Sequence, residues 1–378
     1  MHKNQIVMGN SKNSDGVVNA LLKSISKMTR LVVLLIIALI VLFLFLIYEN
    51  KPIFTIDVER TIVENTNSGD TVETPKSKIQ KVDFFASVKN PLEQLDNKNE
   101  LEAEYIKYGY KLVKETYKHI GPTVEDPSKV YAGNNLACEN CHLDAGQKKY
   151  SAPYIGVTGR FPQYRGRENK IGTIEERING CMERSMNGKK LPIDSKEMRS
   201  YVAYMNWLSE GVPSGMEIEG KGFTKIDIPN RKVDLKNGEK IYKMRCASCH
   251  QPDGQGLKAG EEYTYPPLWG NDSYNHGAGM NRVLTAAQFI KGNMPLGATY
   301  ENPILSDEEA YDVAGYINSH KRPKKANTQK DYPDLKRKPV STPYGPWADD
   351  FSAEQHKYGP FQEIMKYYKE KYNLTKSK

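Results

Sequence analysis

The five cysteines of this chain are the residues whose types and spacing most directly indicate chemistry. Four of them fall in two CxxCH motifs, which consist of Cys138, Cys141 and His142 in CENCH, and of Cys246, Cys249 and His250 in CASCH. Cysteines at this spacing can both form thioether bonds to porphyrin vinyl groups, and the histidine that follows can ligate the iron. Two CxxC pairs could instead build one zinc site, but here each pair is followed at once by a histidine. The motifs therefore predict two covalently bound haem c groups.

The fifth cysteine, Cys181, stands alone in the segment RINGCMERSMNG. A capping box that starts at Thr173 and an Asn-Gly pair after Met186 predict a helix through this segment. On that helix Arg177, Cys181 and Ser185 follow one another at intervals of four residues, so they share one face. If Cys181 is an iron ligand, a guanidinium and a hydroxyl flank it, and this arrangement suits an oxyanion beside the sulfur.

Two methionines offer another sixth ligand for the iron of the first haem. Met182 and Met186 lie in the same segment, and in that case Cys181 would be a small apolar residue. Free cysteines are usually buried and inert, so residue statistics alone favour the second interpretation. The sequence leaves both interpretations open at this point.

The second haem has a candidate sixth ligand in Met294, within FIKGNMPLG. A methionine followed by proline, in a loop between His250 and the closing helix, suits the distal side of a His/Met haem. Met280 in GAGMNR is an alternative ligand, and a methionine can also simply fill a gap in the core.

The elements around these motifs form two similar units. In each unit an amphipathic helix leads into CxxCH, and a second amphipathic helix closes the unit after a loop region. The leading helices are LEAEYIKYGYKLVKETY and NGEKIYKMR, and the closing helices are SKEMRSYVAYMNWLSEG and LSDEEAYDVAGYINSHKRP. The first closing helix is predicted to begin with a capping box at Asp194/Glu197 and to end at Gly211. The second is predicted to begin with a capping box at Ser306. The chain is therefore predicted to be mainly α, with two tandem class I cytochrome c domains.

An unbroken apolar run from Leu31 to Tyr48 precedes these units. Eighteen such residues can just span a bilayer. The charged residues before the run are mostly basic, which predicts that this side stays in the cytoplasm. A secretory signal peptide is the alternative, but no small-residue cleavage site follows the run. We expect a single-pass anchor in the inner membrane, with the haem domains in the periplasm.

These patterns predict six segments along the chain. They are a cytoplasmic N-terminus (1–30), an anchor (31–48), a polar tether (49–100), a first cytochrome domain (101–222), a second cytochrome domain (223–325) and a C-terminal segment (326–378). The C-terminal segment is rich in proline but also in aromatic residues, so we expect it to be extended, to pack over both domains and to fray only at its lysine-rich end. The net charge of +8 favours a small anionic substrate over nucleic acid, because no segment is typical of a nucleic-acid-binding fold.

From about Glu102 to Phe361 the chain resembles the dihaem thiosulfate dehydrogenase/tetrathionate reductase family. RINGCMERSMNG is the most specific of the shared segments, and the others are YPPLWGNDSYNHGAGMNR, FIKGNMPLG and PYGPWADDFSAEQHKYGPF. The resemblance implies His142 and Cys181 as ligands of the first haem, His250 and Met294 as ligands of the second, and substrate contacts from Arg167, Arg177 and Ser185. Some members have lysine where this chain has Asn293, and an N-terminal anchor is not general in the family.

The reaction that the resemblance implies is the interconversion of two thiosulfates with one tetrathionate and two electrons. Arg167 and Arg177 would offset the repulsion between the two dianions. A thiolate ligand would lower the potential of the first haem and a methionine would raise that of the second, so electrons from thiosulfate would move towards the second haem. They would then reach a redox partner, either a soluble cytochrome c or a membrane electron-transport component.

Two other functions remain open from the sequence. One is a membrane-anchored dihaem cytochrome that only carries electrons, in which case methionine would ligate both irons. The other is a relative that acts on a different sulfur species, with a protein-bound sulfur acceptor.

Overall fold

The computed structural model of the protein describes residues 12–49, 83–87 and 89–377. The chain divides into two units, which comprise residues 1–78 and 79–378. The first unit contributes one helix, α1 (Lys12–Glu49). Its stretch Leu22–Leu42 is long and apolar enough to cross a membrane, and its side chains are exposed. The predicted anchor at 31–48 lies within α1, whereas residues 1–11 and most of the predicted tether (50–82 and 88) lie outside the described residues.

The end of the predicted tether belongs to the fold of the second unit. Leu95 is buried in the first hydrophobic core, and Phe84 and Phe85 pack against that core. The backbone N–H of Lys89 donates to Gln147 at 2.7 Å. The fold of the first cytochrome domain therefore includes residues before 101.

The first cytochrome domain is built mainly on two packed helices. Its elements are α2 (Glu100–Lys114), α3 (Thr116–Ile120), α4 (Leu143–Gly146), a hairpin of β1 (Gln163–Arg165) and β2 (Lys170–Gly172), α5 (Ile174–Met182) and α6 (Lys196–Leu208). The predicted leading helix is interrupted at Glu115, where ψ is 41°. The predicted capping box at Asp194 is wrong by one residue, because Ser195 Oγ accepts the N–H of Met198.

The second cytochrome domain repeats this plan. Its elements are α7 (Leu235–Arg245), α8 (Ala247–His250), a hairpin of β3 (Leu257–Ala259) and β4 (Glu262–Tyr265), α9 (Val283–Asn293) and α10 (Asp307–Ser319). The predicted capping box at Ser306 is present, with Glu309 as its partner. Short 3-10 turns lie at Pro127–Lys129, Cys138–Asn140, Thr158–Arg160, Gly279–Asn281, Thr328–Lys330 and Leu335–Arg337.

A glycine brings the leading and closing helices together in each domain. A Cβ added at Gly109 on α2 would lie 2.0 Å from the backbone oxygen of Ser200 on α6. A Cβ added at Gly238 on α7 would lie 2.2 Å from the backbone oxygen of Asp312 on α10. Only glycine permits this approach of the two backbones, so the same crossing occurs in both units. The two units therefore repeat one plan of elements, as the sequence predicts.

The C-terminal segment contacts both domains. The N–H of Tyr332 donates to the carbonyl of Arg167 in the first domain at 2.8 Å. Residues 326–352 carry only short 3-10 turns, but α11 (Ala353–Tyr358) and α12 (Phe361–Tyr372) follow. Phe361, Ile364 and Tyr368 lie on one face of α12 and are buried in the second core. The predicted fraying is therefore wrong as far as Tyr372, because this apolar face is covered.

Candidate functional site

Each CxxCH histidine is held by a backbone carbonyl. Nδ1 of His142 lies 2.7 Å from the carbonyl oxygen of Ala152, and Nδ1 of His250 lies 2.8 Å from that of Pro266. A carbonyl oxygen can only accept, so Nδ1–H is the donor in both contacts and Nε2 keeps its lone pair. Burial lowers the pKa of His142 to about 4 and also lowers that of His250. Both imidazoles are therefore neutral and suited to ligate a metal through Nε2.

A cavity opens beside the first motif, and we call it the first cavity. Cys138, Cys141, His142, Tyr154, Arg160, Arg177, Cys181, Met182, Ser185, Met186, Met205 and Met280 are among its lining residues. Its walls are mainly apolar, apart from the arginines and Ser185. Cys181 and His142 line the same cavity, as their predicted shared role requires. Met182 and Met186 also line it, so the choice of Cys181 as ligand stays a prediction.

The sulfur of Cys181 receives a charged hydrogen bond. Nη1 of Arg177, one turn earlier on α5, lies 2.9 Å from Cys181 Sγ. The carboxylate next to it in sequence is engaged elsewhere, since Glu176 caps the helix at Thr173 and contacts Lys170. Within the described part of the chain Arg177 makes no ion pair. Its positive charge is therefore available to a thiolate and to an anion beside that thiolate.

Ser185 reaches the first cavity from a turn and not from a helix. The capping box that begins at Thr173 is present, but α5 ends at Met182, before the predicted Asn-Gly stop. A longer helix would use the carbonyls of Glu183 and Ser185 for its own hydrogen bonds. Here they accept from distant side chains instead: Asn275 Nδ2 lies 2.9 Å from the Glu183 carbonyl and Asn134 Nδ2 lies 2.9 Å from the Ser185 carbonyl. The predicted common helical face is thus wrong for Ser185, although its side chain still lines the cavity.

Arg160 lines the first cavity and was missed by the sequence reasoning. Burial lowers the pKa of Arg160; Glu217 opposes this shift and the charge of Arg177 adds to it. Arg160 makes no ion pair among the described residues, and its Nε is buried without a hydrogen-bond partner. The segment GRFPQYRGR, with three arginines in nine residues, was the available signal. Arg165 forms an ion pair with Glu168 at 2.9 Å and is not among the residues that line the first cavity.

Arg167 is bound to the C-terminal segment instead of lining the first cavity. Its Nη1 lies 3.0 Å from Asp331, 3.2 Å from the hydroxyl of Tyr344 and 3.1 Å from the carbonyl of Gly277. The other oxygen of Asp331 binds Arg184 at 2.6 Å. Burial raises the pKa of Asp331, but the two guanidinium groups outweigh it and leave that pKa below its ordinary value. In this arrangement Arg167 attaches the C-terminal segment to the first domain.

A second cavity lies at the other motif. It is lined by Cys246, Cys249, His250, Tyr265, Pro266, Phe289, Ile290, Met294 and Leu296, among others. Met294 follows the last residue of α9 and shares this cavity with His250, so its role as the iron ligand stays a prediction. Met280 lines both cavities, so the alternative ligand remains open. The cavities have volumes of about 220 and 730 Å³ and share five lining residues.

The residues present suit haem c in both places. Each cavity is lined by the two thiols and the neutral imidazole of one motif. A sulfur-bearing residue from later in the chain also lines it, Cys181 in the first cavity and Met294 in the second. The polar Nδ1 of each imidazole is satisfied by the protein, so only Nε2 remains for iron. These features are what a haem site requires of its protein.

Comparison with protein families agrees with this interpretation of the two domains. Residues 128–214 match the family described as SoxA/TsdA, cytochrome c domain, and residues 235–321 match the family described as Cytochrome c. The chain therefore binds haem c.

Individual relatives match over a longer range. The chain is similar to the thiosulfate dehydrogenase of Allochromatium vinosum, with 48% identity over 198 residues that cover 51% of this chain and 72% of the relative. It is also similar to the thiosulfate dehydrogenase of Stutzerimonas stutzeri, with 47% identity over 51% of this chain and 62% of that protein. The match to this second relative thus spans less than two thirds of its length.

A solved structure supports the same fold. The thiosulfate dehydrogenase TsdBA of Marichromatium purpuratum, in its as-isolated form, matches with a TM-score of 0.56 and 35% identity. The match covers 61% of this chain and 48% of that one. The arrangement of two tandem cytochrome domains is thus shared with a larger protein.

Proposed function

Because this chain belongs to the thiosulfate dehydrogenase family, we propose that it is an oxidoreductase that interconverts thiosulfate and tetrathionate. In the oxidative direction two thiosulfate dianions give one tetrathionate dianion and two electrons. The observation that carries the proposal is the 2.9 Å contact between Arg177 and Cys181 in a cavity that His142 also lines. It brings together a sulfur that could act as a nucleophile, a positive charge and an imidazole that could ligate iron.

We further propose two haem c groups, each attached through the thiols of its motif. His142 and Cys181 would ligate the iron of the first, and His250 and Met294 that of the second. When bound, each haem supplies a one-electron redox centre, so two of them match the two electrons of the reaction.

The arginines of the first cavity would bind the substrate. Two thiosulfate dianions must approach each other. Two like unit charges 4 Å apart repel by about 1 kcal/mol in bulk water, so two dianions repel by roughly four times as much, and more strongly still in a partly buried site. Arg177 and Arg160 line the cavity, and neither makes an ion pair with any described residue, so both can offset this repulsion. Ser185 can donate a hydrogen bond to a sulfonate oxygen from the same wall. Arg167 would act indirectly, by holding Asp331 and the C-terminal segment in position.

The sulfur of Cys181 can also take part covalently. Its thiolate would bond the sulfane sulfur of one thiosulfate, and this step releases two electrons and leaves a cysteine thiosulfonate. The sulfane sulfur of a second thiosulfate would then attack the same sulfane sulfur, so that tetrathionate forms and the cysteine leaves as thiolate. The Arg177 guanidinium would stabilise the thiolate at the start and again as it leaves.

Helix α1 would place this reaction at a membrane. Its apolar stretch Leu22–Leu42 suits a single-pass anchor, and a signal sequence near an N-terminus has the same appearance. We propose the anchor, in the inner membrane, with the haem domains in the periplasm. The redox partner would be a soluble cytochrome c or a membrane electron-transport component.

The test is an assay of the purified holoprotein in both directions. Thiosulfate with ferricyanide as oxidant should give one tetrathionate for every two thiosulfates consumed, and tetrathionate with reduced methyl viologen should give thiosulfate. A protein that only carries electrons would exchange them with both dyes but would leave the two sulfur compounds unchanged. A product other than tetrathionate would indicate a different sulfur substrate.

A further inference from the structure

The loop that holds His142 has a strained backbone. Ala152, whose carbonyl accepts the hydrogen bond from His142 Nδ1, has a φ of 52°, and Tyr150 has a φ of 58°. Both are in the left-handed region, which non-glycine residues rarely adopt. Such a conformation persists only when surrounding contacts hold it. The orientation of the His142 ring therefore depends on whatever fixes residues 150–152.

Residues 220–223, at the boundary between the two domains, hold one edge of this loop. The N–H groups of Tyr150 and Ala152 donate to the carbonyls of Gly220 and Gly222, each at 2.7 Å. Ser151 also pairs with Phe223 in an isolated β-bridge. These contacts satisfy the N–H groups of the loop and leave the carbonyl of Tyr150 to another donor.

That donor comes from the second domain. Nδ2 of Asn293 lies 3.1 Å from the carbonyl oxygen of Tyr150 and 3.1 Å from that of Phe289. Since both contacts are with acceptors, the amide is oriented with its NH₂ group towards them. Asn293 is the last residue of α9 and directly precedes Met294, and only 2% of its surface is exposed. Its Oδ1 is buried and has no hydrogen-bond partner among the described residues, and an unsatisfied buried atom of this kind lowers stability.

We propose that Asn293 is a positioning residue that couples the two haem sites. A continuous path leads from Met294 through the Asn293 amide to the Tyr150 carbonyl, and along two residues to the Ala152 carbonyl that binds His142. Hydrogen bonding at Nδ1 tunes how strongly an imidazole donates to a metal through Nε2. A side chain of the second domain thereby sets the electron donation of the first domain's proximal histidine.

This coupling gives a direction for the effect. Without the Asn293 amide the loop relaxes from its strained conformation, and the hydrogen bond from His142 Nδ1 weakens. The imidazole then donates less electron density, ferric iron is less stabilised and the potential of the first haem rises. Because coupling is reciprocal, a displacement of Met294 should reach the first haem by the same path. The inference rests on the proposed ligation by His142 and does not depend on the identity of the substrate.

Asn293→Leu tests the coupling in the holoprotein, because leucine is close in size and removes the donor. Asn293→Gln is the conservative variant, since it keeps an amide. Gln362→Leu is the matched control, because this amide also donates to a single distant carbonyl, that of Ile228 at 2.7 Å, in the second core. Potentiometric titration followed by optical spectroscopy gives both midpoint potentials, and electron paramagnetic resonance reports the ligand field of the first ferric haem.

We expect Asn293→Leu to raise the midpoint potential of the first haem and to shift its resonance positions, while Gln362→Leu leaves both unchanged. Asn293→Gln should restore at least part of the potential. A shift confined to the second haem would overturn the proposal and limit Asn293 to supporting Met294. The proposal would also be overturned if Asn293→Leu changed the midpoint potential of the first haem no more than Gln362→Leu does.

A third substitution keeps the proposal testable if Asn293→Leu does not accumulate as a folded holoprotein. Asn293→Ser shortens the side chain, so its hydroxyl no longer reaches the carbonyl of Tyr150 but can still bind that of Phe289 within the same helix. We expect this variant also to raise the midpoint potential of the first haem. An unchanged potential of the first haem in Asn293→Ser would overturn the proposal.

Discussion

Replacement of Arg177 by alanine removes the guanidinium that donates to Cys181 Sγ at 2.9 Å. Hydrogen bonds to charged groups contribute about 1.5–3 kcal/mol. Arg177 is exposed to solvent, so water and salt screen its charge and the lower end of this range applies. A loss of about 1.5 kcal/mol corresponds to a roughly tenfold lower kcat/KM for thiosulfate. Arg177→Lys keeps the charge but loses the planar fork, so its loss should be smaller.

The assay compares kcat/KM for thiosulfate oxidation in the unaltered protein and in these variants, at low and at high ionic strength. Arg199→Ala is the control, because Arg199 is an exposed arginine on α6 of the same domain. Haem content measured for each variant separates a loss of activity from a loss of cofactor. The difference between Arg177→Ala and the unaltered protein should shrink as salt is added, because salt screens exposed charges.

Unchanged kinetics of Arg177→Ala at low salt would refute this reasoning. Arg177 would then be a solvated helix residue whose contact with Cys181 has no part in the reaction. A loss of the same size in Arg199→Ala would refute it too, because it would show a general effect of surface charge.

Three further outcomes are expected. The intact mass should exceed that of the polypeptide by two haem groups, which should remain attached on a denaturing gel; one addition or none would contradict the two-haem architecture. Met294→Gly should abolish the weak long-wavelength band of methionine bound to ferric haem, whereas loss of that band in Met280→Leu instead would identify Met280 as the ligand. The lowered pKa of Asp331 means that its ion pairs stabilise the fold above the ordinary carboxyl pKa of 3.8 and lose this effect as the pH falls below it. Melting temperatures should therefore show that Asp331→Asn destabilises the protein near pH 7 and has little effect near pH 2, and an equal difference at both pH values would contradict the role of the charge.

Local signals in the sequence were sufficient for the cofactor motifs and the repeated helix pair. CxxCH specifies its own chemistry, and the amphipathic patterns of the leading and closing helices are contained in short windows. The membrane-length helix and the capping boxes at Thr173 and Ser306 depend on equally short-range patterns. These features were predicted because nearby residues determine them.

Long-range contacts set what the sequence did not reveal. Helix α5 ends at Met182 because Asn275 and Asn134 bind the next carbonyls, and both are distant in sequence from that helix. Arg167 and Arg160 have the same side chain seven residues apart, but Asp331, 164 residues further on, occupies Arg167 and leaves Arg160 at the cavity. Periodicity cannot predict such pairings.

The burial of the C-terminal helices likewise depends on a distant part of the same chain, the second hydrophobic core. The amphipathic pattern of Phe361, Ile364 and Tyr368 was present in the sequence, but the neighbouring prolines and lysines suggested an extended and fraying end. The second core covers this face, and burial of the three side chains stabilises α12.

Cys181→Ala tests the central claim, that thiosulfate and tetrathionate are interconverted at Cys181, most directly. Cys181 lies outside both attachment motifs, so the variant should keep the same haem mass as the unaltered protein. We predict that it loses thiosulfate oxidation and tetrathionate reduction while still exchanging electrons with artificial dyes. Activity near that of the unaltered protein, with both haems attached, would contradict the thiolate mechanism and favour a protein that only carries electrons.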